Sequence, residues 1–308
     1  MRSIRLRDFI EDRDGCIYAV SNYDNAERIG CILRYVPDAT GERTSPVGRR
    51  YKKYDFAESF DWVREHKPEY LDNVHRVPHC DVVQVYKPEG EIADVIARNA
   101  RVARLISHLS LPAGSYGCTG SLLCGLENDA SDIDLVVYGD VWFVAQRRLR
   151  ALIGRGLIPP MSTAMWRKVY DKRAPEISFD AFVQHEQRKW NRGEFEGTYF
   201  DLLYTRDYDN LNAVPPGKGT VLGRAKIEAT VTDASLSFDN PAVYAVDHDE
   251  VSRVLSFTHT YSGQALAGEV IEAKGVMEEH GDELWLIVGT TREAKGEYIV
   301  SKTLLESV

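Results

Sequence analysis

The chain has 308 residues, of which 38 are basic and 47 acidic, for a net charge of −9, with 44% hydrophobic and 28% charged residues. That is enough chain for two or three domains with cores of their own. The acidic balance argues against a broad, non-specific nucleic-acid binder, and no apolar run approaches the ~20 residues that a membrane span needs.

The N-terminus, "MRSIRLRDFIEDRDG", is charged and lacks the apolar core of a secretory signal, so a cytoplasmic protein is expected. Residues 1–88 contain alternating segments such as "CIYAVSN" and "IGCILRYV", which read as strands joined by a polar turn. The cysteines, Cys16, Cys31, Cys80, Cys118 and Cys124, are odd in number and form no C-x-x-C pair. A disulfide framework is therefore not expected. "HRVPHCD" brings His75, His79 and Cys80 close in sequence, but no second paired set of ligands follows, so structural roles are expected. "GRRYKKY" at 48–54, "QRRLR" at 146–150 and "RKWNR" at 188–192 are local basic stretches, each a solvated face or a groove for an anion.

"KPEG" at 87–90 interrupts the strand pattern, and "EIADVIARNARVARLISHL" follows with apolar residues at helical spacing. Next comes "GCTGSLLCGLENDASDIDLVVYG", residues 117–139. Gly120 and Ser121 open a short helix, whose N-terminal N–H groups and dipole favour an anion. "DIDLVVYG" reads as a strand. Residues two apart on a strand share a face, so Asp132 and Asp134 project together. Holding two like charges side by side is costly unless a cation repays it, and paired carboxylates suit a hard ion such as Mg²⁺. A helix mouth for phosphate beside such a pair suits a triphosphate carrying magnesium.

This combination resembles the DNA polymerase β-like nucleotidyltransferase superfamily, whose signature is Gly-Gly or Gly-Ser, a spacer of about ten residues, and Asp-x-Asp or Asp-x-Glu on a strand. Gly120 and Ser121 match the first element, and Asp132 and Asp134 the second. The resemblance covers roughly residues 90–205. The arrangement of leading region, core and trailing strands is similar to that of uncharacterised archaeal nucleotidyltransferases. The resemblance implies a third carboxylate on a neighbouring strand. "GTYFDLLYT" offers Asp201 inside an apolar run, and "EISFDAFV" offers Asp180 at a position that reads as a helix cap; Asp201 is preferred. With two Mg²⁺ or Mn²⁺ ions, Asp132, Asp134 and Asp201 would be the metal ligands, and Asp201 also the base for an acceptor hydroxyl. Arg188, Lys189 and Arg192 would neutralise the triphosphate.

"RDYDNLNAVPPGKG", residues 206–219, reads as a linker. Beyond it, "GRAKIEATVTDA", "SRVLSFTHTY", "GEVIEAKGVME" and "ELWLIVGTT" are short β-branched runs, the pattern of a small barrel. Phe257, His259 and Tyr261 alternate there and either stack on bases or fill the barrel. The polar stretch "TREAKGEY" at 291–298 carries no chemistry of its own.

The expectation is an α+β protein. It has an N-terminal α/β region (1–88), a nucleotidyltransferase-type mixed sheet with helices (89–210) and a small all-β, OB-like domain (219–308). The expected activity is transfer of a nucleoside monophosphate from a nucleoside triphosphate such as ATP to a hydroxyl, with an RNA 3′ end favoured as acceptor. A non-catalytic nucleic-acid-binding or regulatory protein of the same fold is the alternative. A metal-dependent glycosyltransferase, which also uses Asp-x-Asp, ranks third.

Overall fold

The computed structural model describes residues 3–214, 217–291 and 294–307. Pro215 and Pro216 of the expected linker, and Arg292 and Glu293 of the polar stretch, lie outside the described residues. The chain divides into two compact units, Met1–Pro159 with Arg192–Pro215, and Pro160–Asn191 with Pro216–Val308. These units differ from the divisions expected at 88 and 210. The leading region and the motif region share the first unit, and residues 160–191 belong with the trailing strands. Among the described residues the protein is mixed α and β, with three sheets.

The first unit opens with β1 (Phe9–Asp12), β2 (Ile17–Val20), β3 (Arg28–Pro37), β4 (Arg43–Thr44), β5 (Arg50–Lys53), α1 (Phe56–His66), β6 (His75–Pro78) and β7 (Val82–Tyr86). The strands form one sheet in the order β4-β5-β3-β2-β1-β7, with β6 also on β3. Every pairing is antiparallel, so the expected α/β character is corrected to an antiparallel sheet bearing a helix. Short connections make β1 and β2, β2 and β3, and β4 and β5 direct antiparallel neighbours, whereas parallel strands need crossovers. Ile10, Tyr18, Cys31, Leu33 and Val77 pack with Val63 of α1. Asp55 and Glu58 start that helix with a reciprocal capping box.

The motif region follows. Pro88 is the first helical residue of α2 (Pro88–Arg98), where its missing N–H costs nothing. The single helix expected from the periodicity is broken at Asn99, which ends α2 and whose side chain caps α3 (Ala100–Leu109). Then come β8 (Tyr116–Cys118), α4 (Gly120–Cys124), β9 (Ile133–Tyr138) and α5 (Val141–Gly154), and later β10 (Arg192–Phe195) and β11 (Thr198–Thr205). These strands form a second sheet, β10-β11-β9-β8, in which β9 and β11 run parallel and the outer pairs antiparallel. β8 approaches α2 so closely that a Cβ on Gly117 would lie 2.1 Å from the Pro88 carbonyl carbon. The first sheet also packs against the back of α4, where Phe9, Ile17, Tyr35 and Tyr51 surround Leu123 and Leu126.

The second unit contains α6 (Thr163–Arg173), α7 (Phe179–Lys189), β12 (Thr220–Asp233), β13 (Ala242–Asp247), β14 (Val251–Ser256), β15 (Val270–His280), β16 (Glu283–Val288), β17 (Tyr298–Ser301) and α8 (Lys302–Glu306). Its sheet runs β12-β13-β14-β16-β15-β17, and β12 also pairs with β15. Five strands therefore close into a ring, with β14 and β16 parallel and the other pairs antiparallel. Ile227, Val231, Tyr244, Val254, Ile271 and Leu286 lie in its core.

Strand alternation does not continue through "SFTHTY". β14 ends at Ser256, and His259–Tyr261 forms a 3-10 turn that drives Tyr261 inward. Phe257 is 52% exposed and Tyr261 only 1%. The Tyr261 hydroxyl donates to the Glu297 carbonyl at 3.2 Å and accepts from the Glu176 amide at 3.3 Å. Of the two roles left open for Tyr261, the structure places the side chain in the core. Tyr261→Ala is expected to destabilise the protein by about 3–5 kcal/mol, read by urea unfolding. It should leave RNA affinity unchanged wherever the variant is folded; a stable variant with weakened RNA binding would restore the stacking role.

Two buried histidines make the fold acid-sensitive. His75 Nδ1 accepts from the Leu33 amide at 2.9 Å, and its Nε2 is buried without a partner. His185 Nε2 accepts from the Ser301 amide at 2.9 Å, while Nδ1 lies 2.7 Å from the Ala181 carbonyl. Burial pushes both imidazoles down to about 4. Between pH ~6.5 and ~4 the unfolded chain binds protons that the folded chain refuses, so stability present above ~6.5 is lost as pH falls. Each histidine withdraws about 2 kcal/mol by pH 5 and about 3 by pH 4. Asp8 acts oppositely in the first unit. Its burial raises it to about 6, so its stabilisation exists at low pH and is lost as pH rises to about 6. Hydrogen exchange at pH 7 and 5 should therefore show the second unit, with His185, losing protection more than the first. Equal loss in both would contradict this.

Candidate functional site

The turn between β8 and α4 is tied to β9 by the Thr119 amide, which donates to the Asp134 carbonyl at 3.0 Å. Gly120, at φ +69, takes the left-handed conformation that glycine adopts without strain. A Cβ there would stand 3.1 Å from Asp134 Oδ2, so the first residue of α4 lies directly on that carboxylate. Gly125, also left-handed, ends the helix after one turn. The loop that follows is folded on itself: the Asn128 amide donates to Ser131 Oγ at 3.0 Å, and the Ser131 amide to the Asn128 carbonyl at 2.9 Å. Arg43 holds it from the first sheet, donating to the Leu126 carbonyl at 3.1 Å and to Ser131 Oγ at 3.3 Å. Asp132 comes next, immediately before the first residue of β9.

In the parallel pairing of β9 with β11, Asp134 is the register partner of Asp201. Register partners point to the same face from strands about 4.8 Å apart, so two carboxylates meet side by side. On the far side of β11, Arg192 of β10 is in register with Asp201. Its Nε lies 3.4 Å from Asp201 Oδ1, and the Tyr199 hydroxyl donates to Oδ2 at 2.7 Å. A row of Arg192, Asp201, Asp134 and Gly120 thus crosses the second sheet. Asp201 is 5% exposed and Asp134 half-buried. Burial pushes the Tyr35 phenol up, with Cys124 and the Asp134 carboxylate adding to it, and burial also raises the Cys118 thiol.

Of the two candidates for a third carboxylate, Asp201 is therefore the one beside Asp134. Asp180 is exposed in the first turn of α7, a helix capped by Ser178 in the other unit. The three basic residues expected at a triphosphate have other partners. Lys189 has a fully buried side chain that pairs with Glu186 at 2.5 Å and donates to the Thr260 carbonyl at 2.9 Å. Arg188 pairs with Glu269 at 2.5 Å and donates to the Gln264 carbonyl at 2.5 Å. Both serve the interior of the second unit, because a charge withdrawn from water must find an opposite charge nearby. Arg192 belongs to the first unit and faces Asp201. The Glu186–Lys189 spacing of three on a helix was the signal that marks an internal pair.

Sequence reasoning missed Tyr199, Arg43 and a cleft of about 430 Å³ beside α4, lined by Arg98, Arg101, Arg104, Leu122, Ser131 and Ile133. The helical spacing of the three arginines was its only local signal.

Among the described residues, no group of three or more His, Cys, Asp or Glu side chains is arranged to hold a metal ion. Magnesium, however, is usually held by one or two carboxylates together with substrate phosphates rather than by a complete protein cage. Asp132 and Asp134 fit that donor set, with Gly120 leaving space over Asp134. Asp201, engaged by Arg192 and Tyr199, fits it less well.

Comparison with known proteins finds one extended relative, "Uncharacterized protein MJ1086" of Methanocaldococcus jannaschii. It is 35% identical over 339 aligned positions, covering 97% of this chain and 99% of the relative. The chain belongs to the MJ1086 family. The likeness runs through both units of the chain. No family model matches this MJ1086-family chain, and no solved structure matches it.

Proposed function

We propose that this protein is a metal-dependent nucleotidyltransferase. It moves a nucleoside monophosphate from a nucleoside triphosphate to an acceptor hydroxyl, with an RNA 3′ end as the favoured acceptor, and releases pyrophosphate. The observation that carries this reading is the register of Asp134 with Asp201, with Gly120 lying on the Asp134 carboxylate. A catalytic carboxylate pair is worth its repulsion when it faces a cation and a phosphate.

In this reading Asp132 and Asp134 are the metal ligands. Bound Mg²⁺ or Mn²⁺ supplies charge neutralisation for the triphosphate and polarises the phosphate under attack. Gly120 keeps the approach to Asp134 open, and the Ser121 hydroxyl donates to a phosphate oxygen. Asp201 takes the proton of the acceptor hydroxyl, with Tyr199 and Arg192 fixing its orientation. Nucleotidyl transfer asks mainly for positioning and charge stabilisation, which such a row supplies. The mixed second sheet is read as a nucleotidyltransferase-type core, and the five-stranded ring as an OB-like barrel.

One observation favours a second reading, a non-catalytic nucleic-acid-binding protein of this fold: Arg192 already neutralises Asp201. Incubating the protein with each labelled nucleoside triphosphate, Mg²⁺ or Mn²⁺, and total RNA or protein separates the two. Label in RNA supports transfer to RNA. Label in protein keeps the chemistry and changes the acceptor. No label under either ion, with nucleotide binding intact, favours the non-catalytic reading.

A further inference from the structure

We infer that the β4–β5 hairpin, residues 43–53, is a binding surface for single-stranded nucleic acid that leads the acceptor strand to Asp132 and Asp134. The use made of that strand rests on the nucleotidyltransferase reading; the binding itself does not.

The hairpin carries Arg43, Arg49, Arg50, Lys52 and Lys53 and no acidic residue, in a chain whose net charge is −9. Arg49, Arg50 and Lys52 are exposed. Its place is set by three anchors within the first unit. Tyr51, in register with Arg43, is buried against Leu123 and Leu126 behind α4. Arg43 grips the loop that runs into Asp132, through the Leu126 carbonyl and Ser131 Oγ. Pro46 at the hairpin tip sits on Gly125, where a Cβ would come within 2.9 Å of the proline Cδ. The same loop is held from another element by Arg98, which donates to the Leu122 carbonyl and pairs with Glu127 at 2.9 Å. Arg98, Arg101 and Arg104 line the adjoining cleft of about 430 Å³ together with Glu127 and Asp129, and Glu196 pairs with Arg104 and lies 3.9 Å from Arg101. The loop entering the carboxylate pair is thus gripped by arginines from two separate elements.

Nearby carboxylates take up part of this charge. Glu11 lies 3.6 Å from Arg49, and Glu42 lies 3.9 Å from Arg43. Arg50 and Lys52 lie on the opposite pleat from Tyr51 and point away from the core. Arg50 donates to the Gly41 carbonyl at 2.9 Å, and the Lys52 ammonium lies 4.9 Å from the centre of the Tyr54 ring. The cations are strung along a hairpin instead of converging on one pocket. A small anion uses a convergent set; a chain of phosphates uses a strung-out one. The path ends at two carboxylates, which the neutral terminal hydroxyl of a strand can approach without the repulsion that its phosphates would meet there.

The test titrates fluorescently labelled single-stranded RNA into the full chain, with EDTA and without nucleotide, across a salt series. The double variant R50Q/K52Q is expected to bind at least fivefold more weakly at low salt. The slope of log K against log salt should become shallower by about 1.4, the value for two lost phosphate contacts to a single strand. K52Q alone should change the slope by about 0.7, which covers the case in which losing the Arg50–Gly41 contact disturbs the hairpin. Thermal midpoints identify that case. Affinity and slope equal to the parent's in both variants would overturn the inference. So would a parent that binds no RNA, or one that binds polyglutamate in preference to it. Retained transfer by Asp134→Asn would instead defeat the nucleotidyltransferase reading and leave the RNA titration standing.

Discussion

Asp134→Asn is expected to reduce nucleotidyl transfer at least a thousandfold, on the order of 4 kcal/mol of transition-state stabilisation. The fold should be unharmed or slightly more stable, because the substitution removes one of two adjacent like charges. Asp134 stands at the centre of the row, between Gly120 and its register partner Asp201. Asparagine has nearly the same shape but no charge to hold a cation against a triphosphate. The assay is single-turnover transfer of labelled nucleotide with Mg²⁺, beside urea unfolding of the same preparation. Asp132→Asn should behave alike. Asp201→Asn should separate binding from chemistry, retaining nucleotide affinity while transfer falls. Full turnover by Asp134→Asn would remove the carboxylate pair from the mechanism.

A large stability loss is expected at Glu89, which is not part of the carboxylate row. Arg5 is 2% exposed, and its guanidinium is sandwiched between the rings of Tyr138 at 3.8 Å and Tyr208 at 3.9 Å. Glu89 pairs with Arg5 at 3.2 Å and accepts from the Tyr138 and Tyr208 hydroxyls at 2.7 and 2.8 Å. Arg5 also donates to the Arg206 carbonyl at 3.1 Å, and Lys87 pairs with Asp8 at 2.7 Å. Together these groups join the N-terminal segment, the start of α2, the end of β9 and the stretch after β11. Glu89→Ala leaves an arginine buried beside two phenols with its carboxylate gone, and should cost about 3–5 kcal/mol. Removing both charges is milder than removing one, since no unpaired ion remains. The double variant Arg5→Met with Glu89→Leu should therefore be more stable than Glu89→Ala in urea unfolding. If the single and double variants lose the same amount, the pair carries no coupling of this kind.

Several features were legible in the sequence because they are local. "DIDLVVYG" shows its strand as a short apolar, β-branched run, and β9 covers Ile133–Tyr138, with Asp132 just before it. Gly120 and Ser121 mark a helix start, and the β-branched runs after residue 219 mark strands, of which β12 and β15 are longer than the runs suggested. Even Asp201 could be singled out as a lone carboxylate in an apolar run. What no local pattern contains is partnership. Asp134 and Asp201 meet through the register of two parallel strands distant in sequence. Arg188, Lys189 and Arg192 look alike in "RKWNR", yet the chain passes from one unit to the other between Asn191 and Arg192. Two of the three charges therefore end against Glu269 and Glu186, and the third against Asp201. Tyr261 followed a strand alternation in sequence, but a 3-10 turn carried it into the core. The physical reason is the same throughout. Periodicity reports which face a residue shares with its neighbours in sequence. The cost of burying an unpaired charge or hydroxyl decides which distant group it must meet, and only the folded chain brings that group within reach.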